Sequence, residues 1–408
     1  MLTHIGSFLV FVAFFSIVWP AGITASAKTL VDEFHKNLRE KASFADADFN
    51  ALAQGQSVVK LLPVLDKREV AVCGLVNMQT QPEEFLQSYR ETLSSKNNSN
   101  VLETGSFSST PTLDDLQNLN FENRDIEDLK DCVVGDCKLK LSAAMIDRLH
   151  REVDFNAPGF RLQAVRLLKE ILLDYVRDYQ ARGDAALIEY NDKPDTVRLS
   201  EDQRALMDAA SSINGVLSDL PLATKGSPNP TQSNVESMIV WQKIKFGLKP
   251  VFAINHIMIY RLDQKTGPQI VILTKQIYAS HYINSSLATT VFGNLTGASG
   301  DSYLFYQNRS RADGFDGLFG KVKHEIVEGK AIEGLKGILA RSKSALDGRK
   351  FNDTTAAATL QFQEQSWKKW LGRGLYASAL LFLIAAFAGL LVMGKSGWKG
   401  SFSWGVDR

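Results

Sequence analysis

The sequence predicts an α+β protein: an antiparallel sheet assembled from two runs of strands, a helical insertion between them, a long amphipathic C-terminal helix and, beyond it, one transmembrane helix. Three observations carry this expectation. Val- and Leu-rich runs with strand character lie between residues 58 and 107 and return after residue 238, whereas Ser142 to Leu222 is helical in period. The stretch Gly374 to Gly394 holds no charge and matches the ~20 apolar residues needed to cross a bilayer.

Taken in order, Ile5 to Trp19 is an apolar run broken by Pro20 and Gly22, and Ala25-Ser26-Ala27 offers the small residues of an export-signal cleavage site. Residues 1–27 therefore read as a signal peptide, although its first residues offer only His4 and the amino terminus as positive charge. An uncleaved N-terminal anchor is the alternative. Residues 28–56 form a helical lead-in. The first half of the α+β domain, 57–141, holds strands at Val58 to Leu65 and Glu69 to Met78, joined through the polar Asp66-Lys67-Arg68. Pro82 opens a helix with Glu83 and Glu84 in its first turn and Phe85, Leu86, Tyr89 and Leu93 on one side. A short strand is expected at Val101 to Phe107.

The insertion, 142–225, carries the stripe Leu162, Val165, Leu168, Leu172 and Val176, which ends near Gly183. Ser200 and Gln203 have the spacing of a capping box for a further helix. Gly226-Ser-Pro-Asn-Pro230 breaks the chain and opens the second half of the domain, 226–348. Strands are expected there at Met238 to Phe246, Val251 to Leu262, Ile270 to Asn284 and Tyr303 to Arg311, and Asp263 to Gly267 marks a turn. The amphipathic segment Leu318 to Leu346 closes the domain. Residues 349–373 suit a stalk, 374–394 the membrane span and 395–408 a cytoplasmic tail. Trp367, Trp370, Trp398 and Trp404 flank the span as interfacial anchors. Positive charges lie on both flanks, so orientation follows from the export signal, which places the main domain outside the cytoplasm, in a periplasm or at the cell surface.

Composition is that of a globular protein, with 45% hydrophobic and 22% charged residues. The net charge of +1 gives no electrostatic case for a nucleic-acid partner. Cys132 and Cys137 flank Val-Val-Gly-Asp, a turn that would bring them close, and an oxidising compartment favours a disulfide between them. No further Cys or His stands at a spacing suited to zinc, so no metal site is expected, and no cofactor motif is present. Cys73, in an apolar strand, reads as a small buried hydrophobe.

The order of elements across Val58 to Leu93 and Val251 to Leu346 resembles the helix-grip architecture of the START-related, polyketide-cyclase-like superfamily. In that architecture a curved antiparallel sheet wraps a long final helix. The resemblance implies a ligand-binding role, for an apolar molecule held between sheet and helix, with Ser142 to Leu222 foreign to the minimal fold.

Polar residues on the strands are the candidates for such a site. His256 shares a face with Ile254, Met258 and Tyr260, and Arg309 and Arg311 share one with Phe305. In Lys275-Gln-Ile-Tyr-Ala-Ser-His-Tyr282, alternation puts Lys275, Ile277, Ala279 and His281 on one face and Tyr278, Ser280 and Tyr282 on the other. His256, Tyr278, His281, Arg309 and Arg311 are the expected ligand-binding residues. The competing expectation is that each is satisfied by a buried partner, Asp313 being one for an arginine. Adjacent Ser280 and His281 point to opposite faces, and no catalytic motif can be defended, so an enzyme would have to use dispersed residues. Sequons open at Asn97, Asn284, Asn294, Asn308 and Asn352, with Asn284 and Asn308 at strand ends where a glycan would be hard to fit. Three roles follow: a binding module for a lipid or other apolar small molecule, a structural or protein-interaction component of the envelope whose partner the sequence does not name, and an enzyme.

Overall fold

Strand pairing organises the molecule. The computed structural model describes residues 27–94, 101–213, 215, 217, 220, 233–245, 249–262, 267–295, 302–315 and 320–347. Among them, β1 (Val58–Leu61), β2 (Glu69–Met78), β3 (Val101–Ser106), β6 (Val235–Ile244), β7 (Val251–Arg261), β8 (Gly267–Ala279), β9 (Ile283–Asn294) and β10 (Ser302–Ala312) join in one sheet. Its order is β1-β2-β10-β9-β8-β7-β6-β3, antiparallel throughout. The last five strands form a meander; β2 pairs with its final strand and β3 with its first. The separate pair β4 (Glu189–Tyr190) and β5 (Val197–Arg198) lies outside the sheet.

Helices cover both faces of this sheet. On one lie α3 (Pro82–Ser94) and the 28-residue α8 (Gly320–Asp347). Lys323, Val327, Ala331, Leu335 and Leu339 of α8 recur at four-residue intervals, and all are buried. The helix runs along β2: His324 Nε2 lies 2.8 Å from the Glu69 carbonyl at one end, and Lys343 donates to the Asn77 carbonyl at the other. Val70, Val72, Ile257, Ile272, Phe292 and Leu304 supply the sheet's side of this core.

The other face is covered by α1 (Ala27–Ala42), α2 (Asp46–Ala53), α6 (Phe160–Arg182) and α7 (Leu199–Ile213). Phe34, Leu38 and Leu206 pack there on Leu75, Met258 and Phe305, while Leu172, Val176 and Tyr179 pack on Trp241, Ile254 and Tyr278. The remaining α4 (Asn123–Asp128) and α5 (Ala143–Glu152) build a further core with α6, from Ile126, Leu129, Ile146, Leu149 and Leu168. Cys132 and Cys137 form a disulfide at its edge, with Gly135 at φ +88° in the enclosed turn.

Several expectations change. The segment expected as one strand from Ile270 to Asn284 ends at Ala279, turns through Tyr282 at φ +59° and re-emerges as β9. Small polar residues, Ser285, Ser286, Thr289 and Thr290, hide that strand from a reading based on apolar runs, yet all are buried by the sheet's neighbours. Bulged pairing between β7 and β8 puts both Ile277 and Tyr278 into the core beneath α6, which breaks the simple alternation expected there. The capping box also fails. α7 begins at Leu199, and Gln203 is buried, spending its amide on the sheet carbonyls of Gln276 and Ser286.

No helix among the described residues is long and apolar enough to cross a membrane. The expected leader up to Ser26, the Gly226 to Pro230 break, the stalk, the span Gly374 to Gly394 and the tail all lie outside the described residues, as do the sequons opening at Asn97 and Asn352.

Candidate functional site

Of the five residues expected to line a pocket, His256, Tyr278, Arg309 and Arg311 stand on the sheet face covered by α6 and α7, opposite α8, and His281 lies in the turn between β8 and β9; they form separate groups. His256 and Tyr278 lie beneath α6. His256 has no exposed surface; the hydroxyls of Tyr179 and Ser237 sit 2.8 Å from its Nδ1 and 2.9 Å from its Nε2. Burial, helped by the charge of nearby Lys275, lowers this imidazole to about 3. Lys275 is itself lowered by burial and pairs with Asp184. Tyr278 packs against Tyr175, Tyr190 and Phe252.

Ser237 and His256 have the spacing of a nucleophile and a base, but the chemistry does not follow. An imidazole lowered to about 3 is a poor proton acceptor at neutral pH, and behind it stands a tyrosine rather than a carboxylate.

His281 lies apart from this group, 3.0 Å from the Lys138 carbonyl and 3.1 Å from Asp125. Burial acts to raise Asp125, but His281 and Lys249 outweigh it and hold the carboxyl below its usual range. Arg309 and Arg311 meet a third set of partners: Arg309 donates to Glu69 at 2.6 Å, and Arg311 to Asp202 at 2.6 Å and Glu69 at 3.5 Å. Asp313, expected as an arginine's partner, instead pairs with Lys140 and Lys193 at 2.8 Å each. Every one of these side chains has a partner supplied by the fold.

The opposite face holds a different constellation. In the register Val240, Asn255, Gln276 and then Ser286, Ser310, Val70, the middle positions are uncharged polar residues in a layer otherwise built of Val, Ile and Leu. Alternation places Gln276 with Ile270 and Ile272 toward α3 and α8, and Asn284 is the unpaired extra residue where the β9–β10 register shifts. Ser286, Ser310 and Asn308 hydrogen-bond one another at 2.8–3.2 Å. Gln276 and Asn284 have no exposed surface, and neither their amide nitrogens nor their oxygens have a hydrogen-bond partner among the described residues. Four such buried, unspent groups are costly at about 1–3 kcal/mol each, and they lie where the β8–β9 ladder stops after Lys275 and Leu287. Gln203 reaches the same gap from the other side of the sheet.

From α3, Tyr89 faces the same layer; burial pushes its hydroxyl up to about 12, partly offset by a hydrogen bond with Thr274. A surface nook of about 20 Å³ between α3 and Leu346 has room for roughly one water. Asn284 and Asn308, both sequon residues, are buried, so neither can carry a glycan in the folded chain.

The polar row was hidden in plain view. Asn308, Asn284 and Gln276 were legible as polar strand residues, and the alternation that sets Gln276 opposite Lys275 was the available signal. No group of His, Cys, Asp and Glu among the described residues is arranged to hold a metal ion. Compared with known proteins, the chain matches no family model, no curated protein and no solved structure.

Proposed function

We propose that the chain is a membrane-tethered, extracytoplasmic module that binds a lipid or other apolar small molecule between the sheet and α8. The observation that carries this reading is Gln276, whose buried amide has no hydrogen-bond partner among the described residues in the layer beneath α3 and α8, with the equally unspent amide of Asn284 at the bulged end of β9. Buried polar groups without partners are rare in folded proteins and tend to mark places where something else supplies the hydrogen bond. The strand order supports a helix-grip reading: β2, an intervening α3 and then β3 take the two sides of a five-strand meander, and the long α8 comes last. The tether rests on the leader and on Gly374 to Gly394.

Native mass spectrometry of the full-length chain, stripped of detergent in the gas phase, tests the binding reading. One retained amphiphile per chain is expected. A chain that carries no bound mass, and gains none on addition of lipid, overturns it.

A second reading, as an interaction component of the envelope, is favoured by the turn inside the disulfide. Val133 and Val134 are 55% and 57% exposed there, on a loop fixed by the Cys132–Cys137 bond and by hydrogen bonds from Gly135 and Cys137 to the carbonyls of Asn191 and Asp192. Substituting both valines by Ser would abolish such an interaction while leaving ligand retention intact.

A further inference from the structure

His281 is buried in the turn that joins β8 to β9, and each of its ring nitrogens meets a group that can only accept. Nδ1 lies 3.0 Å from the Lys138 carbonyl, and Nε2 lies 3.1 Å from a carboxylate oxygen of Asp125. A neutral imidazole has one N–H and satisfies one of these contacts; the imidazolium has two and satisfies both. Asp125 does not supply the missing proton. Its other oxygen accepts from Lys249 at 2.7 Å, and although burial acts to raise it, these partners hold the carboxyl below its usual range.

The contacts join separate parts of the fold. Asp125 belongs to α4, and Lys138 follows the Cys132–Cys137 bond; Ile126, Leu129, Cys132 and Cys137 beside them pack in the small core with α5 and α6. His281 belongs to the sheet. One further bond crosses the same seam, from the Lys140 N–H to the Ser280 carbonyl. The titratable groups around the ring are Asp125, Lys249 ahead of β7 and Tyr282, whose ring centroid is 5.6 Å away. Lys249 also bonds Asp128 at 2.8 Å, and the Lys138 ammonium is turned outward at 66% exposed. Past Ser280, Lys140, Lys193, Asp192 and Asp313 form the next ionic group. With the ring charged, His281 and Lys249 face Asp125 and Asp128 as two cations to two carboxylates. With it neutral, one negative charge is left uncompensated and one nitrogen lone pair points at an acceptor.

We infer that His281 is a proton-operated latch: the protonated ring fastens α4 and the disulfide-braced segment to the β8–β9 turn, and loss of its proton releases them. The sign is fixed by the contacts. A group held in its charged form in the fold contributes on the acid side and ceases to contribute as pH rises. This is opposite to a histidine buried neutral, such as His256.

Hydrogen exchange of the full-length chain in detergent, at about pH 5.5 and about pH 8.5, brackets the ordinary histidine value of about 6.5. After correction for intrinsic rates, peptides from residues 123–141 should exchange about tenfold faster at the higher pH, the worth of one charge-assisted hydrogen bond, while β2 and β7 change less than twofold. His281→Gln cannot titrate and should flatten this response. Asp125→Asn should flatten it too, because the amide can donate to a neutral ring while its oxygen still accepts from Lys249. An equal response across the unaltered chain, a response of opposite sign, or one that persists undiminished in either variant overturns the latch. The unaltered chain decides alone if the variants do not fold.

Discussion

His256 shows how a polar strand residue is made structural. Its ring nitrogens face Tyr179 and Ser237, its surroundings are apolar, and Lys275 adds a positive charge nearby, so the neutral form is favoured in the fold. The unfolded chain takes up a proton near pH 6.5 and the folded one only near pH 3. Stability from this residue is therefore complete above about pH 6.5 and is lost as pH falls toward 3, at up to ~1.4 kcal/mol per pH unit. His35, which burial also lowers, adds a slope of the same sign. Urea titrations should show that His256→Gln starts less stable at pH 7.5 but loses ~2 kcal/mol less than the parent on going to pH 4.5. Equal slopes would mean that His256 is protonated in the fold. That such residues point inward was legible from alternation. Their partners were not, because Glu69 lies 240 residues from Arg309 in the chain and alternation cannot say which layer will cover a face.

At the level of elements, α8 shows close docking and spare helical propensity side by side. A Cβ at Gly74 of β2 would stand 2.6 Å from Leu339 and 3.1 Å from Leu335, both fully packed, so the helix lies on the strand only because that residue is glycine. Gly329, on the exposed side of the same helix, has nothing within 4 Å of a built Cβ. Gly74→Ala should cost about 1–3 kcal/mol by overpacking, whereas Gly329→Ala should gain up to ~1 kcal/mol from helix propensity. Chemical denaturation of the two variants checks this, and a neutral Gly74→Ala would show α8 free to lift from the sheet. The helices and strands with strong apolar periods, β2, β7, α3, α6 and α8, were readable to within a few residues. β9 was not, because its two buried faces mix Ser285, Ser286, Thr289 and Thr290 with Leu287, Val291 and Phe292, so neither an alternation nor an unbroken apolar run marks it.

For the whole molecule, the decisive feature is that both faces of the sheet are covered, one by α3 and α8 and the other by the N-terminal helices with α6 and α7. The α+β class and the long final helix could be read from the order of periods. The three-layer arrangement could not, since it depends on α1 and α7 meeting across a long stretch of chain. The described cores end by Leu346. A chain ending at Gln365 should therefore melt cooperatively in aqueous buffer within a few degrees of the full-length protein in detergent, and its aggregation would make the apolar segment Gly374 to Gly394 part of the folded core. The ligand-binding account is tested most directly by photocrosslinking the full-length chain with a diazirine-bearing fatty acid and mapping the adducts by peptide mass spectrometry. Adducts on β8, β9 and α8, competed by unlabelled oleate, are the predicted result; adducts confined to Gly374–Gly394 or to the outer surface of α6 would contradict it.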